Sequence, residues 1–160
     1  MNTNRIATER RNFIALATAV ALLPLSLSSH AQQPSHATIL GSWRAIDSGK
    51  PYAVIEFIKA GDSISGIVRE QLSSSNSGVT VCSPQCPPDK RGQPVVGLEC
   101  IWGLRSNADP LYFEGGQVLL PEDGAQFQCR ISVLPDGRNL RVRLFVGTPI
   151  FGSTEIWQRV

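Results

Sequence analysis

Between Gln126 and Val146 the chain alternates apolar and polar side chains almost without exception, and this alternation limits the possible folds more than any other feature. Phe127, Cys129, Ile131 and Val133 fall on one side, and Gln126, Gln128, Arg130 and Ser132 on the other. After Pro135-Asp136-Gly137, Leu140, Val142, Leu144 and Val146 oppose Arg141 and Arg143. Successive side chains of a β-strand point to opposite faces, so a period of two predicts paired strands with one buried face and one wet face. Pro-Asp-Gly supplies the turn between them.

The same pattern runs from Ile39 onward. Strands are predicted at 39–45, 53–59, 63–70, 98–104, 112–120, 125–134, 139–146 and 153–160, separated by Asp47-Ser48-Gly49, Ala60-Gly61-Asp62, Pro121-Glu122-Asp123-Gly124 and similar turn signals. No long segment here carries a helical apolar period. Short strands at this spacing read as all-β, a sandwich or a barrel.

Upstream, Arg5, Arg10 and Arg11 precede an apolar run at 13–27, and Ser29-His30-Ala31 offers small residues for cleavage. This is the pattern of a secretory signal peptide over residues 1–31, which predicts a periplasmic or secreted protein. Arg10-Arg11-Asn12-Phe13-Ile14 also resembles a twin-arginine leader, with Glu9 where Ser or Thr is commoner. The apolar run is short for a membrane span, and no second one follows. Residues 32–38 are polar and read as a loose segment. The remaining 129 residues, 39–160 in the main, suit one domain with one core.

The chain has 15 basic and 13 acidic residues, and the leader holds three of the former and one of the latter. Twelve of each remain. A neutral domain gives no electrostatic reason to bind nucleic acid or an anionic membrane.

Cys82, Cys86, Cys100 and Cys129 all follow the leader, so in an oxidising compartment two disulfides are expected. Zinc ligation through Cys82-Ser-Pro-Gln-Cys86 is the alternative, without a nearby His to complete a mixed site. Cys129 lies on an apolar face, and alternation gives Cys100 the same face as Leu98 and Trp102. The facing pattern therefore pairs Cys100 with Cys129 across the core and leaves Cys82 with Cys86 as a loop staple. That staple lies in the one long irregular segment, 71–91, which reads as a tethered surface flap.

Two stretches nearly repeat: GQPVVGLECIW from Gly92 to Trp102 and GTPIFGSTEIW from Gly147 to Trp157. Gly permits positive φ, Pro stops a preceding ladder, and the second Gly allows a bend where the next strand begins. Each copy is read as a loop that returns the chain to a sheet, with the Trp as anchor. The repeat describes architecture, although two such loops could also shape a barrel mouth.

Gly41-Ser42-Trp43 opens the first predicted strand and Trp157-Gln158-Arg159 closes the last. Lipocalin-like barrels start with a similar Gly-x-Trp and pack that Trp beneath a terminal Arg, so Gly41, Trp43, Trp157 and Arg159 are assigned to barrel closure. The fold predicted is one antiparallel, lipocalin- or calycin-like β-barrel of about eight strands. These motifs, with the Cys82/Cys86 pair, Gly92 to Leu98, Gly115-Gly116, Pro121 to Gly124, Leu140 to Arg143 and Gly147 through Arg159, resemble the exported bacterial proteins of domain-of-unknown-function family 2147. The resemblance implies a secreted or periplasmic lipocalin-like domain with no established activity. Many relatives carry a Cys pair near the second and third strands, where this chain has Ala60 to Gly66, so the disulfide arrangement does not transfer.

Catalytic groups are scarce. His36 is the one histidine after the leader, which removes Ser-His-Asp and Cys-His schemes. Glu56 and Glu114 are the carboxylates considered for a glycosidase-like pair. No phosphate loop, dinucleotide fingerprint or other cofactor motif is present. The expected function is non-enzymatic binding of a small, apolar ligand, with Phe57, Trp102, Tyr112 and Phe113 as the candidate lining. The alternative is a protein partner, such as a lysozyme- or protease-type enzyme, blocked through the stapled 71–91 segment.

Overall fold

A computed structural model of the chain describes residues 37–72 and 78–160. The expected leader, most of the loose segment after it and residues 73–77 lie outside the described residues. Eight strands follow in order: β1 (Gly41–Asp47), β2 (Lys50–Ala60), β3 (Ser63–Gln71), β4 (Glu99–Ser106), β5 (Tyr112–Leu119), β6 (Gln126–Val133), β7 (Asn139–Phe145) and β8 (Gly152–Arg159). Each is antiparallel to the next, and β8 returns to β1 to close the barrel.

Where the sequence alternates cleanly, the ladder is regular. β6 and β7 pair residue for residue from Gln128 with Phe145 to Val133 with Leu140. Cys129, Ile131, Leu140 and Val142 are accordingly buried inside the barrel.

β4 departs from this pattern. Gly66 pairs with Ile101, but the next residue of β3, Ile67, pairs with Glu99, which leaves Cys100 as an extra residue on β4. Such a bulge reverses the facing of the residues that follow it, until a second shift, where Ile64 to Gly66 oppose Ile101 to Leu104, returns Leu104 to the core. Ile101 consequently joins the core, while Trp102 lies on the outer wall beside Cys82, Cys86, Leu98 and Leu119.

One end of the barrel is sealed. Trp43 is fully buried and donates its indole N–H to the Ile39 carbonyl at 2.7 Å. The Arg159 guanidinium lies 4.0 Å from the centre of the Trp43 ring. It also donates to the carbonyls of Gly137, Leu40 and Thr38. A cation over an aromatic ring in a partly dry setting contributes about 1–2 kcal/mol, and the three carbonyls fix its position. Gly41, at φ 105°, gives the chain a left-handed turn where a side chain would crowd that guanidinium. Thr38, assigned by sequence to the loose segment, is held by Arg159, and Ala37 packs against the core.

The cysteines form one disulfide, Cys82–Cys86. The expected Cys100–Cys129 bridge is absent: both are buried thiols. β5 lies between their strands, and strands are about 4.8 Å apart, so residues two strands apart are about 9–10 Å apart before any offset along the sheet. A disulfide needs its α-carbons within about 7 Å. Cys129 lies opposite Gly116 of β5, whose missing side chain makes room for its sulfur, whereas the Cys100 thiol donates to the Gly66 carbonyl on the other side of β4 at 3.6 Å. Burial pushes both thiols up to about 12, which keeps them protonated and unreactive.

The described part of the long segment is ordered against the barrel and does not form a projecting flap. Val81 bridges to Pro94, and Ser83 donates its backbone N–H to Pro121 at 2.8 Å. Its disulfide is buried on the outer wall, where Lys90 covers Trp102 at 4.9 Å and ties down Glu99 at 3.1 Å. Just after the segment, Val95 enters the main core.

Candidate ligand-binding site

Opposite the sealed end, the barrel is open. The β1–β2 turn, the β3–β4 segment, the β5–β6 loop and the β7–β8 loop all lie there, because up-and-down connectivity puts alternate connections at the same end. A mouth of about 1060 Å³ is lined by Asp47, Lys50, Tyr52, Glu122, Phe127, Leu144, Phe151 and Glu155, among others. Beneath it lies an inner cavity of about 70 Å³ with Ile55, Val68, Val95, Cys100, Ile101, Val118 and Trp157 in its wall. Tyr52, Val79, Leu120, Glu122 and Leu144 belong to both, so the two spaces share a wall. Ligand pockets usually measure roughly 300–1,000 Å³. The inner cavity alone is too small for a whole ligand of that class, whereas the mouth is not.

A polar cluster sits at the junction. Tyr52 on β2 donates its hydroxyl to Glu155 on β8 at 3.1 Å, reaching past the upper end of β1. The Trp157 indole N–H donates to the same carboxylate oxygen, Oε2, at 2.7 Å. Burial pushes the Glu155 carboxyl above its ordinary value, the bonds from Trp157 and Tyr52 pull it down, and Asp47 adds to the rise. Burial and then the Glu155 charge hold the Tyr52 phenol well above its usual range, so Tyr52 is a neutral donor. The seam beside this cluster is the shortest in the barrel: β1 and β8 pair only at Trp43 with Arg159 and Arg44 with Gln158.

The residues picked from sequence as ligand lining lie elsewhere. Phe57 is buried in the core, stacked on Trp157 at 6.2 Å between ring centres. Trp102 is on the outer wall, Phe113 is core, and Tyr112 is half-buried toward the sealed end on β5. None of the four lines either cavity, because aromatic character marks burial rather than facing a void. Of the closure residues, Gly41, Trp43 and Arg159 come together at the sealed end, while Trp157 lines the inner cavity. Glu56 and Glu114 sit on the outer wall beside Arg69 and Arg130, at 2.6 and 3.9 Å, too far from the interior to act as a pair there.

Sequence reading missed Tyr52 and Glu155. They lie 103 residues apart, and barrel closure alone brings them together. The detectable signal was a charged residue at an inward position of β8, two residues before Trp157 on the same face.

Comparisons with known proteins agree with the geometry. Residues 41–159 match the model of a family described as "Uncharacterized protein conserved in bacteria (DUF2147)". Among solved structures, protein HP1028 from the human pathogen Helicobacter pylori, described as belonging to the lipocalin family, superposes with a TM-score of 0.64. The match spans 78% of this chain and 84% of that one at 16% identity, and shows a shared fold. No curated protein matches the chain. Among the described residues no helix is long and apolar enough to cross a membrane.

Proposed function

Because the chain belongs to the family of uncharacterized bacterial proteins DUF2147 and closes into a lipocalin-like barrel, we propose that it is an exported, non-enzymatic binding protein that takes up a small ligand with an apolar part at the open end. The observation that carries this reading is the wide mouth leading down to an apolar inner cavity in a barrel otherwise filled by its own side chains. The inner cavity accepts a short apolar group and the mouth accepts the rest. The Arg-rich leader is what supports export, and the periplasm is the compartment it favours.

Protein-partner capture through the stapled segment has less support. A preorganised binding loop presents its staple to solvent, whereas Cys82 and Cys86 are buried against Leu98 and Leu119. The described part of the segment holds the barrel wall and supplies Val79 to the cavity, and Val95 just after it adds to the same lining.

Native mass spectrometry of protein extracted from the periplasm of a producing bacterium tests the proposal. The expected spectrum shows an extra lipid-sized mass, released on denaturation and reduced in Leu144→Trp, which fills the wall shared by both spaces. The bare polypeptide mass, together with no uptake of added 1-octanol, would overturn it.

A further inference from the structure

The site's polar cluster has a direction that the binding reading does not specify. Both internal donors, the Tyr52 hydroxyl and the Trp157 indole, go to Glu155 Oε2, and among the described residues no donor reaches Oε1. Glu155 is also in no ion pair among the described residues. A carboxylate is acceptor-only when ionised, and because no buried side-chain oxygen among the described residues lacks a partner, Oε1 is open to the mouth, where it can accept an N–H or O–H from a ligand.

The charges around it have one predominant sign. Asp47 on β1, Glu122 in the β5–β6 loop and Glu155 on β8 line the mouth against Lys50 alone. From β2, Tyr52 is held neutral. From β7, Arg143 points away and is bound to the Pro149 carbonyl at 2.9 Å and to Thr154 Oγ1 at 2.9 Å. A half-buried carboxylate outside any ion pair, set in a net negative rim, repels a fatty-acid-like anion and attracts a cation.

We propose that the mouth selects an organic cation with an apolar tail, a primary alkylammonium being the simplest, whose N–H donates to Glu155 Oε1 while the tail enters the inner cavity. The proposal rests on the binding reading of the same site and narrows it to a ligand class. It also fixes a pH dependence. Burial raises the carboxyl of the empty protein, and the cation needs the ionised form. Binding therefore releases a proton when it occurs near or below that raised value, and affinity falls as pH drops through it.

Calorimetric titration of the full exported chain with octylammonium, octanoate, 1-octanol and ethylammonium separates the possibilities. Near about pH 8, octylammonium is expected to bind at least about tenfold more tightly than octanoate, and ethylammonium at least about tenfold more weakly than octylammonium. Glu155→Gln, which keeps an acceptor for Tyr52 and Trp157, is expected to weaken octylammonium at least about tenfold more than it weakens 1-octanol, and so to abolish the preference for the cation. As pH is lowered from about 8 toward the ordinary carboxylate range, the wild-type protein is expected to lose affinity for octylammonium relative to 1-octanol, which does not titrate, a readout that stands even if the variant does not fold. Octanoate binding as tightly as octylammonium, ethylammonium binding as tightly as octylammonium, or a preference that survives both Glu155→Gln and low pH overturns the cation reading and leaves the binding protein standing. No binding by any of the four overturns both.

Discussion

In the first copy of the repeat, Gly92 to Trp102, the apolar pair is split: Val95 enters the core, Val96 is half exposed, and Trp102 finishes on the outer wall beneath Lys90. In the second, Gly147 to Trp157, Ile150 and Phe151 are 80% and 76% exposed, and Trp157 finishes inside against Phe57. Both copies start at the open end with a left-handed glycine, Gly92 at φ 71° and Gly147 at φ 73°. In both, the second glycine precedes the Trp by the same interval. What separates them is the extra residue at Cys100 in β4, which reverses the first Trp, whereas β8 pairs with β7 in unbroken register. A motif thus sets the local path of the chain, and the register of the neighbouring strand decides which face its side chains reach.

The largest test of that contrast is to truncate each tryptophan. Trp157→Ala removes a buried ring, its stack on Phe57 and the N–H held by Glu155, and is expected to cost about 3–5 kcal/mol. Trp102→Ala removes a half-buried ring from a small outer cluster and is expected to cost about 1–2 kcal/mol. Urea denaturation followed by far-UV circular dichroism gives both values. Equal losses would mean that the outer cluster is as much a core as the barrel interior.

The second glycines differ in what they are for. A methyl group on Gly152 would run into the Leu144 carbonyl oxygen of β7, which is backbone and has little freedom to move. Gly97, at φ 96°, has open space around it and is needed only for its left-handed conformation. Gly152→Ala is therefore expected to cost about 2–3 kcal/mol through overpacking, and Gly97→Ala about 1 kcal/mol through backbone strain. Thermal melts of the two variants side by side check the order. A larger loss at Gly97 would show that the first loop is the more constrained of the two.

The same contrast explains how much of the molecule was legible in its sequence. All eight strands stand close to where alternation puts them, because period two survives wherever one face is buried and one is wet, as in β6 and β7. Alternation misleads at a bulge, since an inserted residue leaves no compositional mark. Trp102 was therefore placed inside, and Cys100 was paired with a cysteine two strands away. The site was harder still. Tyr52 looks like any strand tyrosine and Glu155 like a surface carboxylate, and their relation depends on β8 returning to the start of the chain. Aromatic residues are the more conspicuous candidates for a lining, yet a barrel uses most of its rings to fill volume, and Phe57 and Phe113 do that.

The smallest expected effect on stability belongs to the apolar pair of the second copy. Ile150 and Phe151 are mostly in solvent, so Ile150→Ser with Phe151→Ser should leave stability within about 0.5 kcal/mol of the parent. Phe151 nevertheless lines the mouth, as Val95 of the first copy lines the inner cavity, so the apolar pair of each repeat contributes one side chain to the space at the open end. If that shared placement is functional, the double variant weakens uptake of 1-octanol by a few-fold while its melting curve stays put, and the loss is seen equally with octylammonium because Glu155 is untouched. Unchanged affinity for both probes would reduce the second copy to a turn that only closes the sheet, and the pairing of the two loops around the mouth would then have no role in binding.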